Sequence, residues 1–207
     1  MLGDLHRSNL IVLVQIVFSI VGLGFAYIGA VEYGLISMMI AAILNEYSID
    51  ISEQFDQTDA QLAFSTELEV IADFLSFGLI PVGLLLTATQ GGTLGIITIA
   101  IYIIAVAIRL AHFNRPLEFQ SYQTDEENFY LGLPLIFVAV ILPILYLLSY
   151  LLPSSVFSVV IMIVMIALAA AYVIAKPIPR LKKDWMTYLI FGVIFLVVAY
   201  ILLSIFK

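Results

Sequence analysis

Cysteine is absent from the 207 residues, which removes disulfides, thiolate nucleophiles and cysteine-held zinc or iron–sulfur centres. Histidine occurs only twice, as His6 and His112, too far apart to suggest a zinc site. Charged side chains make up 11% of the sequence, against about 25% in a soluble domain. Cations are scarcer than anions, 8 Lys and Arg against 15 Asp and Glu, giving a net charge of −7. No basic stripe interleaved with aromatics occurs, so nucleic acid is excluded as a partner. What is present is apolar: 63% hydrophobic residues and a mean hydropathy of +1.15. That is the composition of an all-α, polytopic membrane protein. With no low-complexity tract, internal repeat or polar domain, residues 1–207 read as a single transmembrane domain.

A helix needs about 20 residues to cross a hydrocarbon core some 30 Å thick. The apolar runs predict about seven spans, near 10–31, 33–51, 70–89, 93–112, 129–152, 155–175 and 186–206. The first run, 22 residues long, exceeds the roughly 7–15 of a signal-peptide core and is read as a span. Gln90-Gly91-Gly92-Thr93 and Pro153-Ser154-Ser155 predict tight turns. Seven spans put Arg7, Arg109, Arg115, Lys176, Arg180, Lys182 and Lys183 on one side and only Lys207 on the other. The positive-inside rule then places the N-terminus in the cytoplasm of a cell whose membrane the chain crosses several times.

Three of these runs are too short without polar help. The uncharged parts of spans two, three and four are residues 33–44, 74–88 and 93–108. To span, they draw in Asn45 and Ser48, Glu69 and Asp73, and Arg109 and His112. Spans two and four end on the cytoplasmic side and span three begins there, so these side chains are expected in one cytoplasm-facing cavity. A carboxylate at such depth costs about 2.5–3.5 kcal/mol and marks a cation or polar substrate. Oxygen ligands suit Mg²⁺, Mn²⁺ or Ca²⁺, and a divalent ion can clamp a pyrophosphate. Arg109 could hold a phosphate bidentately, and Asp73 could accept a proton from an alcohol. The plainer readings are a wetted helix start for Glu69 and Asp73, a snorkelling anchor for Arg109, and an interfacial His112. Gly22, Gly24 and Gly29 are expected to let helices pack closely.

At these positions the chain resembles the CDP-alcohol phosphatidyltransferase family, closest to its phosphatidylserine and archaetidylserine synthases. The family signature is D-x-x-D-G-x-x-A-R, about eight residues, then G-x-x-x-D-x-x-x-D. Its synthases continue F-G-A-E-L-D-S-x-x-D-x-x-S-F-G-x-x-P. Here the run is Phe64-Ser65-Thr66-Glu67-Leu68-Glu69-Val70-Ile71-Ala72-Asp73-Phe74-Leu75-Ser76-Phe77-Gly78-Leu79-Ile80-Pro81. Arg109-Leu110-Ala111-His112-Phe113-Asn114 resembles R-L-A-R-F-N, Gly132-Leu133-Pro134 resembles a following G-L-P, and Lys176-Pro177 resembles a basic-proline step. The resemblance covers spans one to six. It implies a bundle that is usually a homodimer, in which a small polar alcohol such as L-serine displaces CMP from a CDP-activated lipid. It also implies Asp73 as the base, and Asn45, Ser48, Glu69 and Asp73 at the positions holding Mg²⁺ or Mn²⁺. Arg109, Asn114 and Glu53 fall at substrate-binding positions.

The first half of the signature departs from the family. Asn45 and Ser48 replace two aspartates, Ile49 the glycine, Ser52 the alanine, Glu53 the arginine and Glu69 the third aspartate. Neutral ligands hold a hard dication less well than carboxylates, and Glu53 has the wrong sign for phosphate. A second register, Asp56-Gln57-Thr58-Asp59-Ala60-Gln61-Leu62-Ala63, copies D-x-x-D-[small]-x-x-A but leaves no eight-residue spacer. The function expected from these residues is the family's transfer reaction; the alternative is an inactive member that binds lipid or regulates an active relative. A transporter is a third, without an inverted repeat to support it.

Overall fold

The computed structural model describes residues 5–52, 55–113, 129–174, 176–179 and 183–205. Asn114 and Glu53 lie outside the described residues. The chain begins with α1 (Asn9–Tyr27) and α2 (Val31–Ser52). Next, α3 (Asp59–Asp73) continues through a π-helical segment (Phe74–Leu79) into α4 (Ile80–Ala88). After α5 (Thr93–Phe113) comes a short strand β1 (Phe129–Leu131), then α6 (Val138–Leu147) between 3-10 turns at Leu135–Phe137 and Leu148–Tyr150. The remainder is α7 (Ser154–Val173), β2 (Pro177–Pro179) and α8 (Lys183–Ile205). Among the described residues the regular structure is helical apart from β1 and β2, which pair antiparallel with Tyr130 opposite Ile178.

Among the described residues four helices are long and apolar enough to cross a membrane: Arg7–Tyr27, Asp59–Ala88, Thr93–His112 and Ser154–Val173. Leu135–Tyr150 and Leu189–Ile205 are shorter apolar helices. At 22 residues α2 is long enough, but it carries Glu32, Asn45 and Glu46 and is not one of the four.

Two expected boundaries differ. The third span was expected from residue 70, yet its helix begins at Asp59. Thr58 explains this: its side-chain oxygen accepts from the Gln61 amide, and the Gln61 side chain accepts from the Thr58 amide at 3.1 Å. Such a capping box satisfies two otherwise orphaned donors and fixes a helix start. The resulting helix of 30 residues places Asp73 midway along it. Asp56 and Asp59, the acids of the second register, are exposed at its start. Asp59 is about 21 Å along the axis from Asp73. The fifth span was expected from residue 129, but residues 129–131 form β1. Gly132 follows at φ +72°, a left-handed conformation that glycine adopts without penalty and that ends regular structure. Its amide donates to Lys176 O at 2.8 Å, tying the turn to the chain just before β2.

Hydrogen bonds between helices hold the bundle where the apolar surroundings offer no water. Pro81 has no N–H to give Phe77 C=O, four residues back. The Tyr102 hydroxyl donates to that carbonyl at 2.6 Å. Tyr146 donates to Leu84 O and Tyr200 to Pro143 O, both at 2.6 Å, and Thr87 donates to Ala26 O at 2.7 Å. Of the three glycines expected to permit close packing, Gly22 does so. A Cβ there would lie 2.8 Å from Ile80 and from Ser37, so α1, α2 and α4 meet at that point only because it is bare. Gly24 faces open space, and Gly29, at φ +81°, serves the turn between α1 and α2.

Candidate functional site

The buried residues of α1 are Asn9, Val12, Gln15, Ser19, Gly22 and Ala26. Their steps of three and four trace one seam along the helix, and the seam is polar in its first half. It packs on α3, the π segment and α4. Polar residues on the opposing side answer it: Ser65, Asp73 and Ser76.

Asp73 lies at the end of α3 and is partly exposed. Its Oδ1 accepts from Asn45 Nδ2 at 2.6 Å and from Gln15 Nε2 at 3.3 Å. Three helices therefore meet at one carboxylate oxygen. Gln15 Nε2 also donates to Ser76 Oγ at 3.2 Å, and the hydroxyls of Ser76 and Ser19 are 2.6 Å apart. Each of those hydroxyls also reaches the carbonyl one turn back, Ala72 O and Gln15 O, at 2.7 Å. Nearer the start of the seam, Ser65 Oγ donates to Asn9 Oδ1 at 2.7 Å.

Of the residues expected to gather, Asn45 and Asp73 are in direct contact. Glu69 is one helical turn from Asp73 on α3 and half-buried. Ser48 is one turn past Asn45, but its hydroxyl donates to Asn45 O at 2.7 Å. His112 is exposed near the end of α5. Arg109 turns another way. It belongs to the face of α5 that buries Thr98, Tyr102 and Ala105, and α5 packs extensively on α7. Its guanidinium donates to Tyr172 O at 3.5 Å and to Gly132 O at 3.4 Å. A cation beside the last turn of α7 is favoured by the helix dipole. The opposite face of α5 carries Ala107, Leu110 and Ala111, which with Val70, Ile71 and Phe74 line an apolar groove of about 340 Å³. Arg109 is about 200° around the helix from Ala107.

The four expected metal positions do not fit a pair of divalent ions as arranged here. Only Glu69 and Asp73 carry charge. Asp73 Oδ1 is faced by the N–H groups of Asn45 and Gln15, which repel a cation from that oxygen. Ser48 points its proton at a carbonyl of its own helix. Among the described residues no three His, Asp or Glu side chains stand close enough to hold a metal.

Gln15, Ser19 and Ser76 are site residues that the apolar runs hid. The available signal was the position of the few polar residues of residues 10–31 on the same seam as Asn9. No protein-family model matches the chain, and no curated protein matches it at a significant level.

If Arg109 pins α5 to α7 and to the Gly132 turn, Arg109→Met strands two buried carbonyls. Hydrogen bonds to a charged group are worth about 1.5–3 kcal/mol. Thermal unfolding in detergent should show that loss for Arg109→Met and little change for Glu69→Gln, the expected separation between a packing cation and an accessible acid. Equal stability of the two variants would contradict the assignment.

Proposed function

We propose that this chain is a phosphatidyltransferase-like membrane bundle that binds lipid, or regulates an active relative in phospholipid synthesis, without transferring a phosphatidyl group itself. The observation that carries this reading is the 2.6 Å bond from Asn45 Nδ2 to Asp73 Oδ1. Asn45 takes a position at which the family resemblance implies a metal-binding aspartate, and it turns a donor toward the residue that would act as base. Asp73 Oδ1 already accepts from Asn45 and from Gln15, so that oxygen is engaged within the bundle. The apolar groove between α3 and α5 offers a lipid chain a place against two membrane-length helices.

The second reading, transfer from a CDP-activated lipid to a small alcohol such as serine with release of CMP, draws on Glu69 and Asp73. Both remain partly accessible on one helix. One assay separates the readings. Purified protein is incubated with CDP-diacylglycerol or CDP-archaeol, serine, and Mg²⁺ or Mn²⁺, and CMP is quantified. The expected result is no CMP above a protein-free control. Metal-dependent CMP that disappears in Asp73→Asn would establish the transferase instead.

The proposal includes seven membrane crossings with the N-terminus in the cytoplasm, following the concentration of Lys and Arg on alternate loops. Because the chain has no cysteine, single cysteines report cleanly. Asp56→Cys should be shielded from an impermeant thiol reagent in right-side-out vesicles, and Thr93→Cys should react. The reverse pattern would invert the orientation, and reaction at both would remove the odd number of crossings between them.

A further inference from the structure

The Asp73 cluster contains more oxygen acceptors than it has positive charge or protons to satisfy them. The hydrogen-bond partners of Asp73 are two neutral amides. Glu69 adds a second negative charge one turn earlier. Arg109 directs its guanidinium to carbonyls of the α7 side. Independently, Gln15 is fully buried and its Oε1 has no hydrogen-bond partner. That oxygen belongs to the same amide whose nitrogen bonds Asp73 and Ser76, so turning the amide over only exchanges it for an unpartnered NH2. The flip would merely bring oxygen against the Asp73 carboxylate. A buried carbonyl left unpaired costs about 1–3 kcal/mol, and a carboxylate sunk in an apolar bundle is expected to have a counter-charge.

We infer that Gln15 Oε1 and the free carboxylate oxygen of Asp73 hold one monovalent alkali cation, with Glu69 supplying charge from one turn away. Sodium or potassium fits where a divalent pair does not. Mg²⁺ requires six well-placed oxygens and keeps several waters, whereas here two amide N–H groups already face one carboxylate oxygen. A singly charged ion accepts a mixed set of carbonyl, carboxylate and water oxygens, and it balances Asp73 without demanding a second carboxylate in direct contact. Asp73 and Glu69 are both partly exposed, and Gln15 is fully buried. The site needs no CDP-lipid, so it stands or falls separately from the lipid-binding reading.

The test is thermal unfolding of the purified chain in detergent at constant ionic strength, with choline chloride replaced stepwise by NaCl or KCl. Saturable stabilisation by one alkali ion, of about 2–4 °C or more, is expected. Choline should give none, and Gln15→Leu and Asp73→Asn should each lose the shift. Direct binding of radioactive ²²Na⁺ to the wild-type chain, with displacement by K⁺, gives the same answer should either variant fail to fold. Identical midpoints in Na⁺, K⁺ and choline with no ²²Na⁺ bound would overturn the site and leave water beside Gln15. A shift that survives in Gln15→Leu, or saturable Mn²⁺ binding that excludes Na⁺, would overturn it as well.

Discussion

A carboxylate set midway along an apolar helix has to find its hydrogen bonds inside the bundle, and this requirement organises the first half of the chain. Asp73 cannot be moved to the surface without drawing the uncharged stretch that follows it out of register with a membrane. Its needs are met by amides from α1 and α2, and each amide brings its helix along. Gln15 draws the polar half of the α1 seam onto α3, and Asn45 brings the end of α2 against the same point. Gly22 then lets α1 and α2 approach α4 closely beyond the site. The polar contact and the close packing belong to one seam, a few turns apart.

The buried arginine performs a similar task on the other side of α5. Its charge satisfies carbonyls at the end of α7 and in the Gly132 turn, where a left-handed glycine and the β1–β2 pair would otherwise leave backbone oxygen facing an apolar interior. Asp73 bonds amides of α1 and α2, whereas Arg109 bonds carbonyls of α7 and of the Gly132 turn. Among the described residues each closes a different interface.

Span lengths read from the sequence set an expected depth for Asn45, Asp73 and Arg109 along a membrane normal. Depth says nothing about direction around the helix axis. Direction follows from which residues share the buried face: Thr98, Tyr102, Ala105 and Arg109 on α5, and Asn9, Gln15 and Ser19 on α1. Gln15 was passed over because one amide hardly alters the hydropathy of a long apolar run, although its spacing from Asn9 and Ser19 marks it. The early helix start at Asp59 was written in Thr58 and Gln61, a pattern that lies ahead of the apolar residues and so outside the run used to place the span. The β1–β2 pair depends on contacts between segments nearly fifty residues apart and has no local signature beyond Gly132. The turns at residues 90–93 and 153–155, by contrast, were legible from their glycine, proline and serine.

The claim that an amide from α2 is bonded to the carboxylate of α3, and holds the site together, is most directly tested by a double-mutant cycle on Asn45→Ala and Asp73→Ala. Equilibrium unfolding in mixed micelles supplies the four free energies. Contacting residues in a shared network couple by about 0.5–3 kcal/mol, whereas independent sites add within about 0.3–0.5 kcal/mol. The account predicts a favourable coupling of about 1 kcal/mol or more between the two side chains. Additive losses, with no coupling beyond that margin, would contradict it.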